Sequence, residues 1–284
     1  MTSLHSYTPP DLRGRVTVVT GGSRGAGRGI ACVLGQCGAT VYVTGRSTRA
    51  GRTTDGMPGT IEDTVEEITQ RGGRGISVCC DHTDAAQVQE LFDRVRSEHA
   101  TLDLLVNNAW GGYQEHDPRR FVDPFWDQPI DRWDAMFTSG LRCQMLAARA
   151  AIPLMLPKGS GLIINTIAWL EGKYLGNLYY DVVKAASIRF TFGLSHELRS
   201  HGVAVVAVAP GFMRTERVMA AHAAHSFDLS ATESPEYVGR AVAALVADPS
   251  VMAKSGSVHL VGELALEYGF TDTDGRQVPP FRVQ

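Results

Sequence analysis

Long apolar runs are missing from this 284-residue chain. None reaches the ~18 residues needed to cross a bilayer, which excludes a membrane-spanning helix. The opening stretch, Met1 to Pro10, is polar and lacks the charged-then-apolar pattern of a secretory leader. Cysteine is scarce, with five residues and no Cys-x-x-Cys spacing. Cys79 and Cys80 are adjacent on an expected strand, so their side chains point to opposite faces. Neither a zinc site nor a disulfide framework is expected, no metal is expected, and a reducing cytoplasm is the default. Charge of one sign is lacking too. The formal net charge is −3 without a long basic run, which argues against nucleic acid or an anionic membrane as partner. No linker and no repeat interrupts the chain, so residues 1–284 read as one domain.

What is present suits a globular protein with a sizeable core, since 44% of residues are apolar and only 20% charged. Short β-branched runs alternate with helical patterns. Strands are expected at Val16 to Thr20, Thr40 to Thr44, Gly75 to Cys80, Leu102 to Asn107, Leu162 to Ile167, Val203 to Ala209 and Val258 to Val261. Helices are expected at Ala26 to Cys37, Ile61 to Gln70, Ala85 to His99, Asp131 to Leu156, Val182 to Arg199 and Pro235 to Ala247. The strands are nearly continuous apolar runs, the mark of a parallel sheet buried on both faces. Repeated βα units with right-handed crossovers give an α/β, doubly wound parallel sheet of the Rossmann type, about seven strands with helices on both faces. Ser47 to Thr60 and Gly111 to Pro129 read as long loops, and loops of that length in a compact domain are usually functional.

The first strand runs straight into Thr20-Gly21-Gly22-Ser23-Arg24-Gly25-Ala26-Gly27. A strand, a glycine-rich turn and a helix start make a pyrophosphate cradle. Glycines let the backbone approach the phosphates, and the helix N-terminus supplies N–H donors and a positive dipole end. Gly21, Ser23, Arg24, Gly25, Ala26 and Gly27 are therefore cofactor-binding candidates. Arg46 lies just past the second strand, where no Asp or Glu stands to meet a ribose 2′-hydroxyl. Arg24 and Arg46 suit a 2′-phosphate, so NADP(H) is expected over NAD(H). Arg49 and Arg52 read as solvated loop charges.

The T-G-x-x-x-G-x-G turn is followed in order by Cys80-Asp81-His82-Thr83-Asp84, Asn107-Asn108-Ala109, Tyr180-Asp181-Val182-Val183-Lys184 and Pro210-Gly211-Phe212-Met213-Arg214-Thr215. With these markers the chain resembles the short-chain dehydrogenase/reductase superfamily over nearly its whole length. The tail, Leu260 to Ala265 and on to Tyr268-Gly269 and Asp274-Gly275, resembles the branch of dehydrogenase/reductase SDR family member 1. The resemblance implies that Asp81 contacts the adenine amino group, with His82 beside it among the cofactor-binding positions. It places Asn108 beside the adenosine ribose, and Met213 and Thr215 at the nicotinamide carboxamide. Tyr180 becomes the general acid of a reduction, and Lys184 the residue that binds the nicotinamide ribose and lowers the phenol's pKa. It also implies a homodimer or homotetramer through the two long helices. Spacing supports the pair independently: Tyr and Lys four apart share one helix face, and a nearby ammonium favours a phenolate.

Three positions depart from the family pattern. Its serine ends strand five, twelve or thirteen residues before the tyrosine, where this chain has Ala168 and Ile167. Its helix asparagine aligns with Gly140, and its glycine after Asn-Asn-Ala is Trp110. Thr166 is the nearest hydroxyl to the serine position, but out of register. Asn177, Tyr174, Tyr179 or an ordered water are the substitutes the sequence offers. Trp110, Tyr113, Trp169, Tyr174 and Phe212 follow strand C-termini or lie in the adjacent loops, near 111–129 and 212–230. An aromatic lining there implies a bulky, largely apolar or aromatic small-molecule substrate. The expected function is NADPH-dependent reduction of a carbonyl, or oxidation of the corresponding alcohol. The missing serine keeps two alternatives open: an NADP(H)-binding protein without turnover, and non-redox chemistry on the same fold.

Overall fold

Valine, isoleucine and leucine build the strands, and both faces of the sheet they form are covered. The computed structural model describes residues 7–114, 117, 120–169 and 172–282. The strands are β1 (Val16–Thr20), β2 (Thr40–Gly45), β3 (Arg74–Cys79), β4 (Leu104–Asn107), β5 (Gly161–Thr166), β6 (Val203–Ala209) and β7 (Val258–Leu260). They form one seven-stranded sheet in the order β3-β2-β1-β4-β5-β6-β7, and every pairing is parallel. The neighbours Val18 and Val19 point to opposite faces, yet both are fully buried. Val19 joins a cluster with Ile30, Leu34 and Val242. Val18 joins another with Phe92, Leu105 and Ala151. Two apolar layers on one sheet are what the unbroken strand patterns require.

The helices are α1 (Gly25–Gln36), α2 (Ile61–Gln70), α3 (Ala85–His99), α4 (Asp131–Met136), α5 (Cys143–Met155), α6 (Leu178–Leu198), α7 (Glu216–Ala224), α8 (Pro235–Ala247) and α9 (Val261–Tyr268). Because β1 lies between β2 and β4, the chain reverses its winding there and opens a crevice beyond the strand C-termini.

Three differences from the sequence expectation matter for the site. The expected helix from Asp131 to Leu156 is interrupted, because Phe137–Arg142 is a π-helical segment between α4 and α5. Such segments insert a residue into the helical ladder and often mark functional positions. The helix expected from Val182 begins instead at Leu178, because the Asn177 side chain accepts the Tyr180 N–H at 2.8 Å and caps it. Helices α7 and α9 were not expected. α7 has no buried residue and so no apolar stripe, and α9 follows β7 without an intervening turn.

Candidate active site

The cradle forms where β1 ends. Gly21 and Gly25 have φ of 67° and 55°, conformations that glycine adopts without strain. Asn108, just after β4, braces the turn: its Nδ2 donates to the carbonyls of Thr20 at 3.1 Å and Gly21 at 3.2 Å. A Cβ on Gly27 would lie 2.2 Å from the Gly21 oxygen and 2.4 Å from Asn108 Nδ2, so only glycine fits. The Gly25 N–H, at the start of α1, donates to a carboxylate oxygen of Glu216 at 2.8 Å. An acidic group thus stands where an anion is favoured by the helix end.

A groove of about 280 Å³ runs from this cradle, lined among others by Gly21, Ser23, Arg24, Gly25, Arg46, Asp81, His82, Asn108, Trp110, Tyr113 and Thr215. Ala26, Gly27, Tyr180, Lys184 and Met213 are not in its walls, and Met213 packs on the core beneath. At the β2 end, Arg46 reaches Gln114 Oε1 at 2.7 Å and Asp81 at 3.5 Å. Arg24 is more tightly held. It donates to Ser47 and Thr54 hydroxyls at 2.9 Å each and to the Pro58 and Gly59 carbonyls, clamping the 47–59 loop. Arg49 pairs with Asp63 and Glu66, while Arg52 is exposed. His82 is buried beside the Thr44 hydroxyl at 2.8 Å, and burial pushes it down to about 4, which keeps it neutral.

Tyr180 and Lys184 stand one turn apart in the first two turns of α6. Trp110 lies over both. Lys184 Nζ is 4.1 Å from the indole centroid, and the Trp110 and Tyr180 rings meet edge-on at 5.6 Å. Burial pushes the lysine down to about 8. Burial, with Tyr113 adding to it, pushes the Tyr180 phenol well above its ordinary value. Both side chains are partly buried, and the phenol holds its proton. Tyr113 stacks nearly parallel to Tyr180, with centroids 6.3 Å apart, and the two phenols act on each other's ionisation. Phe121 closes the cluster at 5.7 Å from Tyr180, a contact that the sequence reading missed.

Gly140 and Trp110 depart from the family pattern together. A Cβ on Gly140, in the π-helical segment, would lie 2.7 Å from the indole Cζ3. The ring fills the space that a side chain at 140 would need.

The five aromatic candidates do not converge. Trp110 and Tyr113 share the Tyr180 cluster. Trp169 packs with Ile167, Ala207 and Leu260. Tyr174 is 57% exposed, and Phe212 pairs with Phe227 at 5.9 Å. Among the substitutes for serine, Asn177 is committed at both ends, since Nδ2 donates to the Phe121 carbonyl and Gln128. Tyr179 is buried between Trp133 and Phe125. Glu233 is a further group the sequence reading missed. It accepts the Gly211 N–H at 3.0 Å beneath the Pro210-Gly211 turn, and burial pushes its carboxyl up to about 8.

With this geometry in hand, the chain compares with known proteins as follows. The family described as short chain dehydrogenase matches residues 15–226. Dehydrogenase/reductase SDR family member 1 of Mus musculus is 38% identical over 282 residues, 95% of this chain and 87% of that protein. A short chain dehydrogenase from Mycobacterium thermoresistibile superposes with a TM-score of 0.80 at 24% identity, over 96% of this chain and 95% of that one. A Beutenbergia cavernae structure described as an NAD(P)-dependent gluconate 5-dehydrogenase, with NADP at low occupancy, gives a TM-score of 0.73 at 25% identity, over 89% of this chain and 97% of that one.

Proposed function

The chain belongs to the short-chain dehydrogenase family, in the branch of dehydrogenase/reductase SDR family member 1, and from that premise we propose that it is an NADPH-dependent reductase of a bulky, apolar or aromatic carbonyl compound. The observation that carries the reading is the Tyr180–Lys184 pair packed against Trp110, whose ring lines a groove that begins in a glycine cradle. The cradle fits a dinucleotide: its first helix N–H already holds an oxygen anion, that of Glu216. Gly21, Ser23 and Gly25 would hold the pyrophosphate, Asp81, His82 and Asn108 the adenosine side, and Thr215 the carboxamide side. Arg46, with no acid at the end of β2, supports a 2′-phosphate, and Arg24 adds its charge from the clamped loop.

A reduced nicotinamide supplies a hydride when bound. The protein's own part is the proton. Tyr180 gives its phenolic proton to the substrate oxygen as negative charge gathers there. Lys184, cationic below about pH 8, stabilises the phenolate left behind. Trp110, Tyr113 and Phe121 exclude water, which strengthens each of these interactions. Their apolar surface also supports a large, planar or apolar substrate.

Ala168 favours the second reading, a nucleotide-binding protein without turnover, because it offers no side-chain donor. NADPH oxidation against aromatic ketones, quinones and imines separates the two, with Tyr180→Phe as control. Turnover that Tyr180→Phe reduces at least ~10²-fold supports the reductase. Tight NADPH binding with no turnover across the panel supports the second. The same proposal puts the protein in the cytoplasm as a homodimer or homotetramer. The exposed Met145 on α5 and Val182 and Phe192 on α6 support that assembly.

A further inference from the structure

We infer that Tyr113 is a catalytic residue, donating the second hydrogen bond to the substrate oxygen that a serine at position 168 would otherwise make. The inference rests on the reductase reading above. A carbonyl oxygen that gains charge is served best by two converging donors, and Tyr180 is only one. Among the described residues, the other candidate donors are engaged elsewhere, walled in or, for Tyr174, turned to solvent. Thr166 donates to the Asn107 carbonyl at 3.2 Å. Ser139 donates to the Ala135 carbonyl and receives the Gly111 N–H. Asn177 caps α6 and ties down the 121–128 loop, and Tyr179 is walled in by Trp133 and Phe125.

Tyr113 alone among these both lines the groove and stacks on Tyr180, nearly parallel with centroids 6.3 Å apart. From that stacked position its hydroxyl and that of Tyr180 can serve one acceptor. Packing holds Tyr113 in place: Trp110 and Phe121 meet its ring edge-on at 5.6 and 6.0 Å. A tight turn returns the Gln114 N–H to the Gly111 carbonyl at 3.0 Å. The Gly111 N–H is itself anchored on Ser139. A phenol so placed is pre-organised rather than recruited from solvent.

In the reduction, the carbonyl carbon gains a hydride from the reduced nicotinamide, and the C=O π pair moves onto oxygen. That oxygen takes the Tyr180 proton. Tyr180 recovers a proton from solvent by way of Lys184. The Tyr113 O–H bond stays intact throughout; it donates a hydrogen bond only, to an oxygen lying between the two phenols.

Tyr113→Phe keeps the ring and its packing, and removes the donor. Steady-state kinetics on any accepted ketone, with NADPH affinity measured by fluorescence titration, tests the assignment. Expected are a fall in kcat of ~10²- to 10³-fold, a KM and an NADPH affinity within about threefold of wild type, and an unchanged melting temperature. Adding Ala168→Ser to Tyr113→Phe should recover at least tenfold in kcat, a rescue that a merely structural tyrosine would not show. If Tyr113→Phe keeps most of its turnover while Tyr180→Phe loses it, Tyr113 is not the donor and the reductase reading stands. If Tyr180→Phe also keeps its turnover, the reading falls and this assignment falls with it.

Discussion

Replacing Gly140 by the family's asparagine should harm this protein, and the reason lies in one distance. The new Cβ would sit 2.7 Å from Trp110 Cζ3, 3.2 Å from Cε3 and 3.4 Å from Val183 Cγ2. Carbon atoms in ordinary contact are ~3.5 to 4.0 Å apart, so the ring must retreat by roughly 1 Å. It has little room to do so. A Cβ built on Gly112 would meet the opposite edge of the indole, Cζ2, at 2.6 Å, which shows how tightly that side is filled. Overpacking of this kind costs about 1–3 kcal/mol. Leaving glycine's helix penalty behind returns a few tenths of that. The net loss of about 1–2.5 kcal/mol lowers the melting temperature by roughly 2–4 °C in a chain of this size. Trp110→Gly alone should cost about 3–5 kcal/mol through the cavity it leaves. The two together should cost less than their sum by about 2 kcal/mol or more, because the asparagine enters the vacated space. Denaturant unfolding of both single variants and the double variant measures that coupling. Additive losses, or a Gly140→Asn protein as stable as wild type, would refute the argument that the two departures are one.

Glu216→Gln should tighten NADPH binding by about threefold to tenfold, since a charge-assisted hydrogen bond to the Gly25 N–H no longer has to be broken. Calorimetric titration reads this directly, and unchanged or weaker binding sinks it. Arg46→Asp should reduce the preference for NADPH over NADH most among the arginine variants, because it sets an acid where the 2′-phosphate is proposed to sit; equal selectivity in the two proteins counts against that placement. NADPH affinity should fall as pH rises through about 8, where Lys184 loses its charge, and Lys184→Met should flatten that profile. The stability effect runs the opposite way. The folded lysine has its pKa lowered from 10.5 to about 8, so between those values the unfolded chain binds more protons, and this group's contribution to stability rises with pH. A chemical-denaturation series at pH 7.5, 9 and 10 on wild type and Lys184→Met isolates it.

Much of the frame was legible because its signals are local. Unbroken apolar strands tell of a sheet covered on both faces, and the strand, glycine-rich turn and helix start around Thr20 to Gly27 stand where the sequence puts them. Spacing alone sets Tyr180 and Lys184 one turn apart on a helix. What escaped the sequence depends on contacts between distant segments. The cap from Asn177 moved the start of α6 back to Leu178. The meeting of Trp110 with Gly140 is set by how a loop after β4 packs on a helix 30 positions away. Arg24 looked like a phosphate ligand from its place in the turn, yet its donors go to a loop more than twenty residues on. Tyr113 reads as a pocket wall and does line the groove; its stacking on Tyr180 escapes the sequence because nothing in a linear chain shows which phenol meets which. Trp169, Tyr174 and Phe212 looked equivalent to it by position alone, and side-chain direction separated them.

Helix α7 has a mechanical consequence. Its first two residues are its moorings: Glu216 holds the Gly25 N–H, and Arg217 holds Asp55 at 2.6 Å. None of its nine residues is fully buried, and its other contacts include Arg217 over the Tyr113 ring at 5.8 Å, the Thr215 cap and His222 against Phe227. At 1.5 Å per residue it is a rigid arm about 13 Å long. A turn of roughly 10° at the moored end swings the far end by about 2 Å. Whatever anion displaces Glu216 thereby works a lever, and a small event in the cradle becomes a larger movement at Ala224.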